Sequence, residues 1–79
     1  MLQAKQDALV VLAQSGNDKA LIILFAEFHP ELLRFAYKLC GDSQLASDVE
    51  QDAWLKWMGS LRRLDDPRAF ESWIYHALR

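Results

Sequence analysis

A lone cysteine, Cys40, has no partner for an internal disulfide, so packing alone must hold this chain together. Glycine and proline are scarce, at three and two residues among 79, which excludes a disordered, low-complexity chain. No apolar run approaches the roughly 20 residues that span a bilayer; the longest, Ala20 to Ala26, is far too short. The N-terminus lacks a basic segment followed by an apolar one, so no signal peptide and no membrane partner are expected. With so little cysteine, a cytoplasmic location is the simplest expectation. There is no glycine-rich phosphate loop. His29, His76 and Cys40 lack metal-ligand spacing. Ser43, Ser60 and Ser72 have no base in a recognisable arrangement. No catalytic residue, metal or cofactor is therefore expected, and the chain reads as a binding domain, not an enzyme.

Excess positive charge is missing too. The net charge of −2 argues against a simple basic coat for DNA. The charge is uneven, however. Met1 to Leu55 carries four Lys/Arg against eight Asp/Glu, whereas Lys56 to Arg79 carries five against three. Two surfaces with different partners fit this asymmetry, and so does an ordinary solvated surface. The chain is long enough for one domain. A domain of this size hides only about 60% of its unfolded surface, so its stability margin is expected to be small.

What is present is helical periodicity. Turn residues fall at Ser15-Gly16-Asn17-Asp18, His29-Pro30, Gly41-Asp42-Ser43 and Asp65-Asp66-Pro67. The first segment, Leu2 to Ser15, places Leu9, Leu12 and Ala13 on one stripe, with Gly16 as its stop. The second begins at Asp18 as N-cap, with Leu21, Leu24, Phe25 and Phe28 facing inward. Pro30 predicts a kink or a one-turn break at His29, then a helix carrying Leu32, Leu33, Phe35, Ala36 and Leu39 to Gly41. Asp42 or Ser43 caps a third helix reaching about Leu61. Asp66 caps a fourth, with Pro67 at its first position and Phe70, Trp73, Ile74, Ala77 and Leu78 on its apolar face. Trp54, Trp57 and Trp73 are expected as core anchors and Cys40 as a small buried residue. No stretch alternates like a strand. The expected fold is all-α, a compact bundle of about four helices with a kinked second helix.

The third helix has two faces. At about 100° per residue, Asp48, Gln51, Asp52 and Leu55 share one side, and Ala46, Ala53, Trp54, Trp57 and Leu61 lie broadly opposite. The first set is an acidic, hydrogen-bonding strip around one leucine, suited to a basic partner helix. The competing reading is a solvated face with an Asp52–Lys56 pair. Glu50 falls among the core-facing positions, where a charge needs a partner; a bundle-edge location or a base such as Arg34 would supply relief.

Three linked runs carry a resemblance. They are Leu39-Cys40-Gly41-Asp42, then Ala46-Ser47-Asp48-Val49-Glu50-Gln51-Asp52-Ala53-Trp54-Leu55-Lys56, then Leu64-Asp65-Asp66-Pro67-Arg68-Ala69-Phe70-Glu71-Ser72-Trp73-Ile74-Tyr75. Together they resemble region 2 of bacterial sigma-70 family factors, most of all the extracytoplasmic-function (ECF) group. The run Leu24 to Ala36 fits the opening of that region. The resemblance covers Asp18 to Arg79. Residues 1–17 then read as an N-terminal helix and turn, and 18–79 as the sigma region 2-like domain, one compact unit overall.

The resemblance implies a domain that binds RNA polymerase core and helps open the promoter. Its third helix would dock on the clamp helices of the largest catalytic subunit through Asp48, Gln51 and Asp52, with Leu55 and Met58 nearby. The loop Ser60 to Asp66 would capture a flipped base of the −10 non-template strand, with Leu64 near the pocket. Tyr75, His76 and Arg79 would contact the strand. Arg62, Arg63 and Arg68 offer charge for phosphates, and Tyr75 offers a stacking face, although surface packing is an equal use for that ring. Flipping a base costs a few kcal/mol, which a shaped pocket must offset.

Departures are present. Ser47 stands where the family usually has Glu, and Glu50 where it has an apolar residue. Trp57-Met58 replaces a small residue followed by Trp, and His76 replaces a common basic residue. The chain stops at Arg79, before the rest of the DNA-reading helix and the −35 domain, which reads as an excised or truncated domain that binds polymerase better than DNA. An anti-sigma factor is a further possible partner. An apolar patch left by truncation leaves a homodimer open. The rival reading is a helical protein–protein adaptor with no nucleic-acid role.

Overall fold

The computed structural model describes residues 1–78. Four α-helices follow in order: α1 (Gln3–Gln14), α2 (Asp18–Cys40), α3 (Ser43–Ser60) and α4 (Phe70–Ala77). Between α3 and α4 the chain makes two short 3₁₀ turns, Leu61–Arg63 and Pro67–Ala69. No strand occurs among the described residues, as the periodicity requires.

The caps explain most of the boundaries. Asn17, not Asp18, caps α2, its side chain accepting a hydrogen bond from the Ala20 amide at 3.1 Å. Asp18 instead occupies the first turn, where its charge meets the positive end of the helix dipole. Gly41 ends α2 with φ of 70°, a conformation that a Cβ would strain, and its amide donates to the Tyr37 carbonyl at 2.7 Å. Asp42 caps α3 by accepting from the Gln44 and Leu45 amides at 2.8 and 3.0 Å. Asp66 caps the second 3₁₀ turn through the Arg68 amide at 3.0 Å, with Pro67 at the first position.

The break expected at Pro30 does not occur, because α2 runs 23 residues through it. Pro30 removes one intrahelical donor and crowds the carbonyl four residues back. Here Ala26 and Pro30 are both exposed, so water can satisfy that carbonyl. The opposite stripe, Ala20, Leu24, Phe28, Leu32 and Ala36, is buried along the whole helix. Burial on both sides of the proline is worth roughly 1.5–3 kcal/mol per large side chain and outweighs the local penalty.

The core joins Leu9 and Val10 of α1, Leu24, Phe28 and Leu32 of α2, Ala53, Trp54 and Trp57 of α3, then Leu61, Phe70, Ile74 and Leu78. The stripe of α1 differs from the expected one. Gln6, Leu9 and Val10 are buried, with Ala13 half-buried, while Leu12 is exposed. The α1 face is thus rotated toward Val10 so that it meets α2. Phe25 and Leu39 are more exposed than their spacing suggested, and Cys40 is half-buried. Ala77 is exposed and Trp73 half-buried, so Phe70, Ile74 and Leu78 carry the α4 contact. Phe28 meets Phe70 edge-on at 5.6 Å between ring centres, the joint between α2 and α4.

Candidate functional site

The two faces of α3 separate as the helical count requires. Ala46, Ala53, Trp54 and Trp57 are buried, as is Leu61 just beyond the helix. Asp48, Gln51 and Asp52 are exposed, and Leu55 and Met58 stand 60% and 50% exposed beside them. Asp48 accepts a hydrogen bond from Gln44 Nε2 at 3.3 Å. Among the described residues no ion pair joins Asp52 to Lys56, so the strip is not neutralised from within.

Glu50 is the charged exception on the inner face, only 3% exposed. Its partner is not Arg34. His29 Nδ1 lies 2.9 Å from Glu50 Oε2, and Trp54 Nε1 donates to the same oxygen. His29 reaches Glu50 from α2, across the α2–α3 packing. Phe25 stacks on the His29 ring with centres 4.9 Å apart and meets Trp54 edge-on at 4.7 Å. A carboxylate buried with two hydrogen bonds and an aromatic surround avoids most of the penalty of an unpaired buried charge.

The loop from Ser60 to Asp66 lies at the other end of α3. Ser60 and Leu64 are half-buried, and Arg62 and Arg63 are exposed. Gln14, at the end of α1, holds this loop: its Nε2 donates to the Leu61 carbonyl at 3.0 Å and to the Leu64 carbonyl at 2.7 Å. No residue pattern marks Gln14, because its partners are backbone atoms 47 and 50 residues away. Arg62 reaches back to the α1–α2 turn, where a carbon added at Gly16 would sit 3.7 Å from Arg62 Nη2.

The cationic set differs in its freedom. Arg68 is folded onto Asp66, with Nε 3.1 Å from Oδ1 and Nη2 3.2 Å from Oδ2. This side-chain hydrogen bond, reinforced by the Arg68 amide, holds the Asp66 carboxyl below its usual range and raises the guanidinium value. Arg68 is therefore paired with a carboxylate, while Arg62 and Arg63 have no ion-pair partner among the described residues. Tyr75 packs edge-on against Phe35 with ring centres 5.3 Å apart. Its hydroxyl donates to Glu31 at 3.4 Å. Burial, and secondly the Glu31 carboxylate, raise the phenol value. His76 is exposed at the end of α4. Arg79 lies outside the described residues.

The structure thus gathers two separate groups. The acidic strip with Leu55 and Met58 lies along α3; Arg62, Arg63 and Leu64 lie in the loop beyond it, with Arg68, Tyr75 and His76 on the segment that follows. Among the described residues no cluster of His, Cys, Asp or Glu has metal-binding geometry. No helix among them is long and apolar enough to cross a membrane.

Comparison with known proteins gives the family of the chain. The Sigma-70 region 2 family matches residues 24–79. The RNA polymerase sigma-H factor of Pseudomonas aeruginosa is 32% identical over 76 residues, which cover 95% of this chain and 39% of that protein. The chain thus spans about 39% of the length of the curated relative it matches. No solved structure matches it. With the match running from Leu24 in α2 through α3, the loop and α4, the chain belongs to the sigma-70 family and carries its region 2.

Proposed function

We propose that the chain is a transcription initiation factor domain of the ECF type. It acts in the cytoplasm, without catalytic chemistry of its own. Its α3 strip binds RNA polymerase core at the clamp helices, and its loop and α4 contribute to recognition and separation of the promoter −10 element. The observation that carries this reading is the exposed set Asp48, Gln51, Asp52, Leu55 and Met58 on a helix whose opposite face is buried. Carboxylates free of internal ion pairs retain their charge for basic side chains of a partner helix, and the two apolar residues supply contact that excludes water. Arg62 and Arg63 supply phosphate contacts, and the half-buried Leu64 forms part of the base pocket.

The test is binding of the purified domain to the clamp coiled-coil segment of bacterial RNA polymerase. The expected result is binding by the natural sequence and its loss in Asp48→Ala/Gln51→Ala/Asp52→Ala with helical content unchanged. No binding by a well-folded domain overturns the reading. The Arg68–Asp66 pair favours a second reading, a helical adaptor with no nucleic-acid role, because it removes one cation from the strand-facing set. Salt separates the two: strand affinity that rests on phosphate contacts falls steeply as salt rises.

A further inference from the structure

A cavity of about 230 Å³ opens between α2 and α3, walled by Phe25, His29, Trp54 and Gln51 and floored by Glu50. Two features of its floor are unusual. The Glu50 side chain is almost wholly buried, yet it stands where the resemblance calls for an apolar residue. Both of its donors, His29 and Trp54, converge on Oε2, and Oε1 has no hydrogen bond among the described residues. Glu50 itself lines the cavity.

We propose that this cavity is a socket for an arginine side chain carried by the same helix that docks on the acidic strip. The inference rests on the polymerase-docking reading of α3. Gln51 belongs to both the strip and the socket wall, so a helix lying on the strip brings side chains to the socket mouth. The occupant's chemistry follows from the walls. An apolar side chain would strip the remaining water from Oε1 without replacing its hydrogen bond, which is costly for a carboxylate. A guanidinium donates to Oε1 and lies against the aromatic wall of the socket, combining a charge-assisted hydrogen bond with cation–π contact. Lysine, a compact and strongly hydrated cation, gains less from aromatic walls. Occupation adds one buried anchor to an otherwise wet, charged interface, so it should slow dissociation more than it speeds association.

Two measurements test the socket. In the first, the Trp54 indole N–H resonance is followed by NMR while N-acetyl-arginine amide or N-acetyl-citrulline amide is added. Citrulline has nearly the same shape and no charge. A saturable shift with arginine amide, absent with citrulline amide and reduced in Glu50→Gln, supports the proposal. Equal responses to both probes, or none, overturn it. In the second, affinity for the clamp coiled-coil segment is compared among the natural sequence, Glu50→Gln and Ser47→Phe. Ser47 is an exposed residue at the socket mouth, and its replacement fills the entrance without disturbing the buried carboxylate. Both variants should bind roughly tenfold more weakly, as expected for loss of one charge-assisted contact. Unchanged binding by Ser47→Phe, with binding lost in the triple strip variant, overturns the socket and leaves the docking reading standing. Failure of the folded natural sequence to bind overturns the docking reading and the socket's occupant with it.

Discussion

Replacing Gln14 by leucine removes both hydrogen bonds that tie the Leu61–Leu64 loop to α1 while nearly keeping side-chain volume. The carboxamide donates to two carbonyls, at 3.0 and 2.7 Å, in a partly buried setting. A typical internal hydrogen bond contributes about 0.5–1.5 kcal/mol net, so the pair contributes roughly 1–3 kcal/mol to holding this loop closed. Opening of the loop should therefore become about 5- to 150-fold more frequent. Trypsin reads this directly, because Arg62 and Arg63 lie inside the tethered segment. At low protease, cleavage there follows the population of the open form. The expected result is faster cleavage at Arg62–Arg63 in Gln14→Leu by that factor, with a smaller change at Lys38 within α2. Gln14→Glu keeps the shape but turns the double donor into an acceptor facing two carbonyls, and should open the loop at least as much. Equal cleavage rates in all three proteins would refute the idea that α1 braces the loop. If the loop also captures a base, Gln14→Leu should weaken strand binding and leave clamp binding intact.

Four further outcomes follow from the same contacts. Asp42→Ala should cost about 1 kcal/mol in urea unfolding by removing the α3 cap; an unchanged midpoint would deny the cap a role. Pro30→Ala should raise the thermal midpoint, because it restores a donor for the Ala26 carbonyl and removes a residue that disfavours helix by up to about 3 kcal/mol; a lower midpoint would show that the proline is needed for packing. Ile74→Ala, at a site with no exposure, should cost about 2–5 kcal/mol, enough to unfold much of so small a domain. The Asp66 carboxyl has its folded value depressed, so its contribution is present above the unfolded value and lost as pH falls through the folded one. NMR titration should show the Asp66 carboxyl protonating below the other exposed carboxylates, with release of the Arg68 side chain; an ordinary titration would refute the pairing.

The helices were legible because apolar spacing and caps are local. Asp42, Gly41, Asp66 and Pro67 act on backbone atoms within a few residues, so their positions in the chain determine their roles. The inner face of α3 followed from the angular count alone. The same count misplaced the buried stripe of α1, where Val10 rather than Leu12 turns inward. Either choice gives an amphipathic helix, and only the neighbour α2 selects between them. The one-turn break allowed for at Pro30 did not form for a related reason: the cost of the proline is local, while the burial of Leu24, Phe28, Leu32 and Ala36 that holds α2 continuous is a property of the bundle.

The sequence by itself determined the helical class, most of the caps and turns, and the acidic face of α3, since each depends on residues within two helical turns. Tertiary structure alone decided that His29 of α2 meets Glu50 of α3 and that Gln14 grips two carbonyls of the loop. These are contacts between different helices or between a helix and a distant backbone, whose partners follow no spacing rule.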